Sequence, residues 1–467
     1  MSMFKITMTA LAAMLLGGCA LGPDYQRPEQ SIPQQFRDQA AALSPDSVGE
    51  MDWRNVYTAA ELQQLIERAL AANLDLQMAA SRIEQVEAQL GIARIGQLPQ
   101  LSGAGSVGRS QTARNVQVPS QPHISENANL SVNLSWELDF WGRLRRLTEA
   151  ARAEYLGTQY ARQALRVSLI ANVSSAYYTL CALDDRITAA RHSLETREAF
   201  LELTQAQFQR GVTSELDVLT AQAQRAAAQA SIYDLQRQAT QTENALGVLL
   251  AQPLQPVTRG ACSEPLAQTP TGLPSRLLER RPDILQAEQG MVAANARIGA
   301  AKAALFPSVS LTGAFGAVSR DVSDLLHSGS ESWSVGVGLL QPLFNVDRNL
   351  YQVDLARART REAVLNYEKV VRSAFAEVAN ALVGQQRNRQ MLQAQQDQVS
   401  ALRKAEAMAQ ARYKGGYSSY FDVINANRDL FTAEQGTAQA RLGAQLATIE
   451  LYRALGGGWD VPSAQAP

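Results

Sequence analysis

The sequence predicts an α+β membrane protein made of two similar halves, each contributing a pair of amphipathic strands and long helices. Three observations carry this expectation: an internal repeat at about two hundred residues, two stretches of strict period-two alternation, and a heptad seam in a long run without proline.

Asn73-Leu74-Asp75-Leu76-Gln77, with Leu98-Pro99 beyond it, returns 208 residues later as Arg281-Pro282-Asp283-Ile284-Leu285 with Phe306-Pro307. The run Phe208–Val218 returns 205 residues later as Tyr413–Val423, so three residues are lost between the copies after Pro307. Two copies of one unit imply a pseudo-twofold object whose function lies on a shared axis or surface, and the period excludes stacked short repeats. The expected organisation is a signal segment at 1–18, a lipidated extended segment at 19–58, a first copy at 59–262, a second at 263–455 and a flexible tail at 456–467.

The N-terminus is a targeting segment. Lys5 supplies positive charge, Ile6–Leu16 an apolar stretch, and Leu16-Gly17-Gly18-Cys19 reads as a lipobox with Cys19 as the acylated residue. Acyl chains contribute roughly 0.8 kcal/mol per buried CH₂, so two or three would hold the mature N-terminus in lipid. Ala20 rather than Asp follows the cysteine, which favours the outer membrane. Pro23, Pro28, Pro33 and Pro45 then break any periodicity, and residues 20–52 read as an extended tether.

From Ala59 to Gln97 the pattern is helical, with Leu62, Leu65, Ile66, Ala69 and Leu70 on one face. Leu98-Pro99 ends it and the period becomes two. Leu130, Val132, Leu134, Trp136, Leu138 and Phe140 share one face of a strand whose other face is polar. Ser308–Thr312 and Trp333–Leu339 repeat the pattern in the second half. No proline interrupts Arg143–Phe208, where Leu169, Val173, Ala176, Leu180, Leu183, Ile187, Ala190 and Leu194 form a heptad seam. Such a helix spans about 100 Å, too long for a compact domain. Asn349–Tyr413 is its counterpart, with a more polar seam. Each long helix ends at a glycine turn (Gly211; Gly415-Gly416), and a second helix returns over Ser214–Ala251 or Ser419–Leu455. Residues 252–275, with five prolines, join the halves. Cys181 and Cys262 could pair in an oxidising periplasm, but sequence does not bring their Cα atoms within the ~7 Å a disulfide needs, and unpaired core thiols are the default expectation.

Function classes narrow accordingly. The charge is balanced, 43 basic against 44 acidic residues, so bulk electrostatics recruit no nucleic acid. No apolar run past residue 18 reaches the ~20 residues of a membrane helix, so a spanning structure must use strands, and lipid admits strands only as a closed barrel. Strands of about ten residues with one apolar and one polar face match a barrel with a wet lumen. Four strands cannot close around a lumen; several copies must combine. Trp136, Phe140 and Trp333 on the apolar faces favour a membrane interface over the competing reading, a small soluble sheet packed on helices. His123, His192 and His327 lie apart, with no zinc-site spacing, and no catalytic constellation, metal site or cofactor is expected. Gly103-Ala104-Gly105-Ser106-Val107-Gly108 matches a dinucleotide fingerprint by letter but opens no helix.

The runs Cys19–Pro28, Trp136–Arg143, Arg280–Ile284, Ala304–Ser308 and Leu455–Trp459 together resemble the signature runs of TolC-like outer-membrane efflux proteins, within them the OprM-like drug-efflux lipoprotein branch. The resemblance spans the mature chain. It implies a homotrimer whose twelve strands form one outer-membrane barrel, continuous with a periplasmic α-helical coiled-coil barrel. It also implies a periplasmic adaptor protein and an inner-membrane, proton-driven RND transporter as partners, with this chain a passive gated duct for drugs and other small toxic compounds.

Asp217 and Asp422 sit at matching positions after the glycine turns. Ser214-x-x-Asp217 and Ser419-x-x-Asp422 have capping-box spacing, and an acidic residue suits a helix's first turn. The resemblance adds a second role, because Asp422 falls where the family places a carboxylate ring at the periplasmic tip. Three copies each of Asp217 and Asp422 would draw cations and resist anions in a narrow mouth, and their crowding would raise the carboxyl pKa values. Asn425 stands where some relatives carry a second Asp, which makes the ring less acidic. Phe421 is read as an apolar constriction, against packing within the hairpin. Gly211, Thr213, Ser214, Gly415, Gly416, Ser418 and Ser419 are the expected adaptor contacts. The alternatives are a type I protein-secretion duct and a non-conducting periplasmic coiled-coil adaptor.

Overall fold

The computed structural model describes residues 21–29, 51–113, 115–116, 123–253, 256–260, 262, 277–344, 346–457 and 459. The lipidation candidate Cys19, the signal segment and the tail past 459 lie outside the described residues. Along the chain run α1 (Trp53–Val56), α2 (Ala60–Ala72), α3 (Leu74–Ile95), β1 (Gln100–Gln111), β2 (Ile124–Leu138), α4 (Arg143–Gln209) and α5 (Glu215–Leu249). Then come α6 (Leu277–Arg280), α7 (Pro282–Ala303), β3 (Ser308–Ser319), β4 (Glu331–Leu340), α8 (Val346–Lys414) and α9 (Tyr420–Ala454). The expected long helices are α4, 67 residues, and α8, 69 residues. Among the described residues no helix is long and apolar enough to cross a membrane. The chain forms two compact units, each drawing segments from both halves of the sequence.

The first unit holds the sheet, 81–159 and 286–368, with the segment 21–29. Its four strands lie antiparallel in the order β1-β2-β3-β4. The register aligns the alternation of all four: Gly103, Val132, Phe315 and Trp333 form one cross-strand row, and Leu101, Leu134, Gly313 and Val335 the next. Trp136, Leu311 and Val337 follow, then Leu138, Val309 and Leu339. Directly opposed residues point to one side of a sheet, so one face is wholly apolar across these rows. The other carries Ser102, Ser131, Asn133, Ser135, Thr312 and Ser334. The apolar face is bare: Trp333 is 74% exposed and Val132 52%.

Phe140 corrects the sequence expectation. The strand stops at Leu138, and Phe140 lies in a turn, its N–H bonded to the Leu138 carbonyl at 2.9 Å. Asp139 causes the stop, because its carboxylate accepts the first free N–H groups of α4, from Leu144 at 3.0 Å and Arg145 at 2.8 Å. Trp136 remains on the strand, its indole N–H donating to the Gln97 carbonyl at 3.0 Å. The described part of the expected tether, 21–29, is pinned rather than free. Asp24 pairs with the buried Arg146 at 2.7 Å, and Arg27 grips the buried Glu288 through two bonds of 2.7 and 2.6 Å. Gly22 crosses Gly299 so closely that a Cβ on Gly22 would stand 2.5 Å from the Gly299 Cα.

The second unit comprises 51–80, 160–285 and 369–459 of the described range. Its core gathers Trp53, Tyr57, Leu62, Ile66, Val173, Tyr177, Leu180, Leu246, Ile449 and Tyr452, all at most 1% exposed. The seam positions Leu169 to Ala190 are buried as the heptad requires, with Ala176 half-buried. The repeated motif turns out to be a helix break. The helix expected over 59–97 is interrupted at Asn73, whose side chain accepts from the Leu76 N–H at 3.1 Å and donates to the Leu249 carbonyl at 3.0 Å. At the matching break Pro282 begins α7, where its missing N–H costs nothing. The buried Arg281 guanidinium reaches Asp283, Glu377 and the Ala454 carbonyl.

Three further expectations are corrected. Residues 53–56 of the extended segment are helical, capped by Asp52 at 2.8 Å, because Trp53 buries itself in the core. Trp459, placed in the loose tail, is 4% exposed against Val167 and Leu285 and donates to the Arg280 carbonyl at 3.0 Å. Cys181 and Cys262 are not free thiols but a disulfide, with Cα atoms 5.8 Å apart.

Candidate functional site

The residues singled out at the glycine turns all belong to the second unit. The two turns are built alike. Past α4, the Gly211 N–H bonds to the Phe208 carbonyl and the Val212 N–H to that of Gln207, both at 2.9 Å. Past α8, Gly416 bonds to Tyr413 at 3.0 Å and Tyr417 to Arg412 at 2.9 Å. This is the Schellman closure, which needs a left-handed residue. Gly211 and Gly416 supply it at φ +73° and +75°.

The returning helices begin differently. Ser214 and Asp217 form a complete capping box. One carboxylate oxygen of Asp217 accepts from the Thr213 hydroxyl at 2.6 Å, the Ser214 hydroxyl at 2.7 Å and the Ser214 N–H at 3.0 Å. The Thr213 and then the Ser214 hydrogen bonds hold this carboxyl below the usual Asp range. Asp217 is therefore spent on the cap. Ser419 makes no side-chain cap bond, and Asp422 is exposed with no described residue hydrogen-bonded to its carboxylate. Asp422 is thus left free of the cap that occupies Asp217.

Phe421 is 68% exposed, so it does not pack the hairpin. That work falls to Tyr420, which stacks on Phe200 at 3.7 Å and meets Tyr413 edge-on at 4.8 Å. Burial pushes its phenol up to about 12. Tyr420 was not singled out from the sequence. Tyr413 lies at the end of the outgoing helix and Tyr420 opens the returning one, so the glycine turn between them brings the two rings together. Asn425 is partly exposed, while Asn427 is buried and accepts from Ser193 at 3.3 Å. Gly211, Ser214, Gly415, Gly416 and Ser419 are exposed, with Thr213 and Ser418 half-buried. Beside them Val212, Leu216 and Tyr417 are 72%, 72% and 81% exposed, an apolar surface that solvent alone does not favour.

The site of the first unit is the bare face of the sheet. Its ends carry charge or aromatic rings: Arg109 and Glu126, opposed across β1 and β2, pair at 3.0 Å, and Glu331 ends the row of Leu130 and Ala317. Both outer strands, β1 and β4, have one strand partner each among the described residues.

Comparison with known proteins places this architecture. The family model described as "Outer membrane efflux protein" matches residues 65–252 and again 273–457. The chain is 36% identical over 471 residues to the probable efflux pump outer membrane protein TtgC of Pseudomonas putida, covering 98% of this chain and 96% of that protein. It is 34% identical over 453 residues to the cation efflux system protein CusC of Escherichia coli, covering 96% and 97%. Among solved structures, the open state of the Neisseria gonorrhoeae MtrE outer membrane channel superposes with a TM-score of 0.85 at 31% identity, over 94% of this chain and 98% of that one. The chain belongs to the outer membrane efflux protein family and works in efflux at the outer membrane.

Proposed function

We propose that three copies of this chain close one twelve-stranded barrel in the outer membrane and continue it as a periplasmic helical tunnel, the passive exit duct of a tripartite efflux pump. The two-faced sheet with two half-paired edges carries this reading. Lipid tolerates no open strand edge, four strands enclose no lumen, and an apolar face this exposed is stable only against hydrocarbon. Edge-to-edge joining of β1 and β4 between copies satisfies all three demands at once. Acyl chains on Cys19 anchor each copy from the periplasmic side.

The glycine turns form the free end of the tunnel, where a periplasmic adaptor docks on Val212, Leu216, Tyr417 and the turn residues, and an inner-membrane RND transporter supplies the energy. Asp422 and Phe421 narrow the resting mouth, the carboxylates favouring cations and the rings excluding water. The relatives include proteins named for toluene, antibiotic and cation efflux, and the cargo assigned here is drugs and other small toxic compounds. Reconstitution in planar bilayers tests the gate. Phe421→Ala with Asp422→Ala should raise single-channel conductance about twofold or more, as expected for widening a constriction that excludes water; an unchanged conductance places the gate elsewhere.

A further inference from the structure

The inter-repeat segment is short where it is described, yet it touches four helices of the second unit. Cys262 is disulfide-bonded to Cys181 of α4. Arg259 grips Asp184, one turn on, with bonds of 2.5 and 3.0 Å, and reaches Glu243 of α5 at 2.7 Å. Gly260 lies so close to α2 that a Cβ there would stand 2.6 Å from a Glu61 carboxylate oxygen. The Cys262 carbonyl accepts from Gln445 of α9 at 3.2 Å.

The placement on α4 and α5 is symmetric. From Asp184 to the end of α4 at Gln209 is 25 residues; from the start of α5 at Glu215 to Glu243 is 28. Arg259 thus bridges two limbs of one antiparallel hairpin at nearly equal distances from its turn, and the disulfide closes a covalent loop of sequence separation 81 around that hairpin. Packing changes at the same level. Near the bridge the limbs meet through Leu183, Ile187, Ile232 and Leu235. Towards the turn the buried residues of α5 shrink to Ala228 and Ala221, and those of α4 to Ala190, Ser193 and Thr204. Small side chains bury little apolar surface and hold helices weakly.

We propose that Arg259, Gly260 and Cys262 act as a clasp that fixes the spacing of α2, α4, α5 and α9 and confines the opening of the first hairpin to its outer limbs, residues 185–242. This rests on the reading of the turns as a gate that opens by splaying helix pairs. Without the clasp, the loss of spacing spreads inward past Cys181, and the resting closed state becomes less populated.

The test uses the full-length lipidated protein with Cys181→Ser/Cys262→Ser and, separately, Arg259→Gln, which keeps the disulfide and guards against misfolding of the first variant. Two readouts are taken: open fraction at fixed voltage in planar bilayers, and amide hydrogen exchange along α4 and α5. The clasp predicts an open fraction about fivefold larger in both variants, with new exchange appearing at 165–181 and 243–249, inside the bridge. Wild-type gating together with wild-type protection at 165–181 in both variants overturns it. Absence of any conductance from the wild-type protein sinks the channel reading instead, and the exchange pattern alone then decides whether the clasp fixes the helices.

Discussion

Gly416 sits at φ +75° with nothing within 4 Å of where a Cβ would stand. Any cost of Gly416→Ala is thus conformational, about 1–2 kcal/mol for placing an L-residue in the left-handed region. Thermal unfolding of the variant should show that loss, and a neutral result would mean the turn does not need its closure. Asp217 permits a sharper test. Its carboxyl is held below the usual Asp range by Thr213 and Ser214, so the ionised form is favoured in the folded state. Stability from the cap is complete above the unfolded pKa near ~3.9 and fades as pH falls through the lower folded value. Amide protection factors at residues 214–219, taken against the intrinsic exchange rate at each pH, should fall as pH drops below ~4 in the wild type, and Asp217→Asn should abolish that fall. At this scale the sequence was partly legible. The capping spacing identified Asp217, but the identical spacing at Ser419 and Asp422 yields no side-chain cap although the two turns close alike. The disulfide shows the same limit: of three cysteines one suits lipidation, leaving an even pair, yet only folding brings Cys181 and Cys262 together.

Among elements, the strands were the most legible and the breaks in helices the least. Strict alternation survives because a one-residue slip would move every apolar side chain to the wrong face, so the pattern marked the strands and their apolar face, while the cross-strand register came only from the structure. The 59–97 helix break at Asn73 was hidden because Asn73 lies within an otherwise helical period, and its stabilising partner, the Leu249 carbonyl, is 176 residues away. The alternation was overread at Phe140 for a similar reason, since Asp139 caps the next helix. The strand reading has a direct consequence. If the apolar face meets lipid as proposed, Val132→Arg there should cost about 2–4 kcal/mol, whereas Ser131→Arg, one residue away on the polar face, should cost far less. Outer-membrane yield and urea unfolding in lipid read both; equal effects would contradict two differently solvated faces.

For the whole molecule, the doubling seen in the sequence accounts for why one chain brings four strands and two glycine turns, and why the family model matches it twice. What a single chain lacks is closure: β1 and β4 each keep one side without a strand partner among the described residues. The most direct measurement is therefore cross-linking between those edges. Cysteines placed mid-strand as Gly105→Cys in β1 and Val335→Cys in β4, in cells and with a short bifunctional maleimide, should give a ladder of one, two and three chains that ends at three. A ladder that stops at two, runs past three, or is absent while each cysteine remains reactive would contradict a barrel closed by three copies.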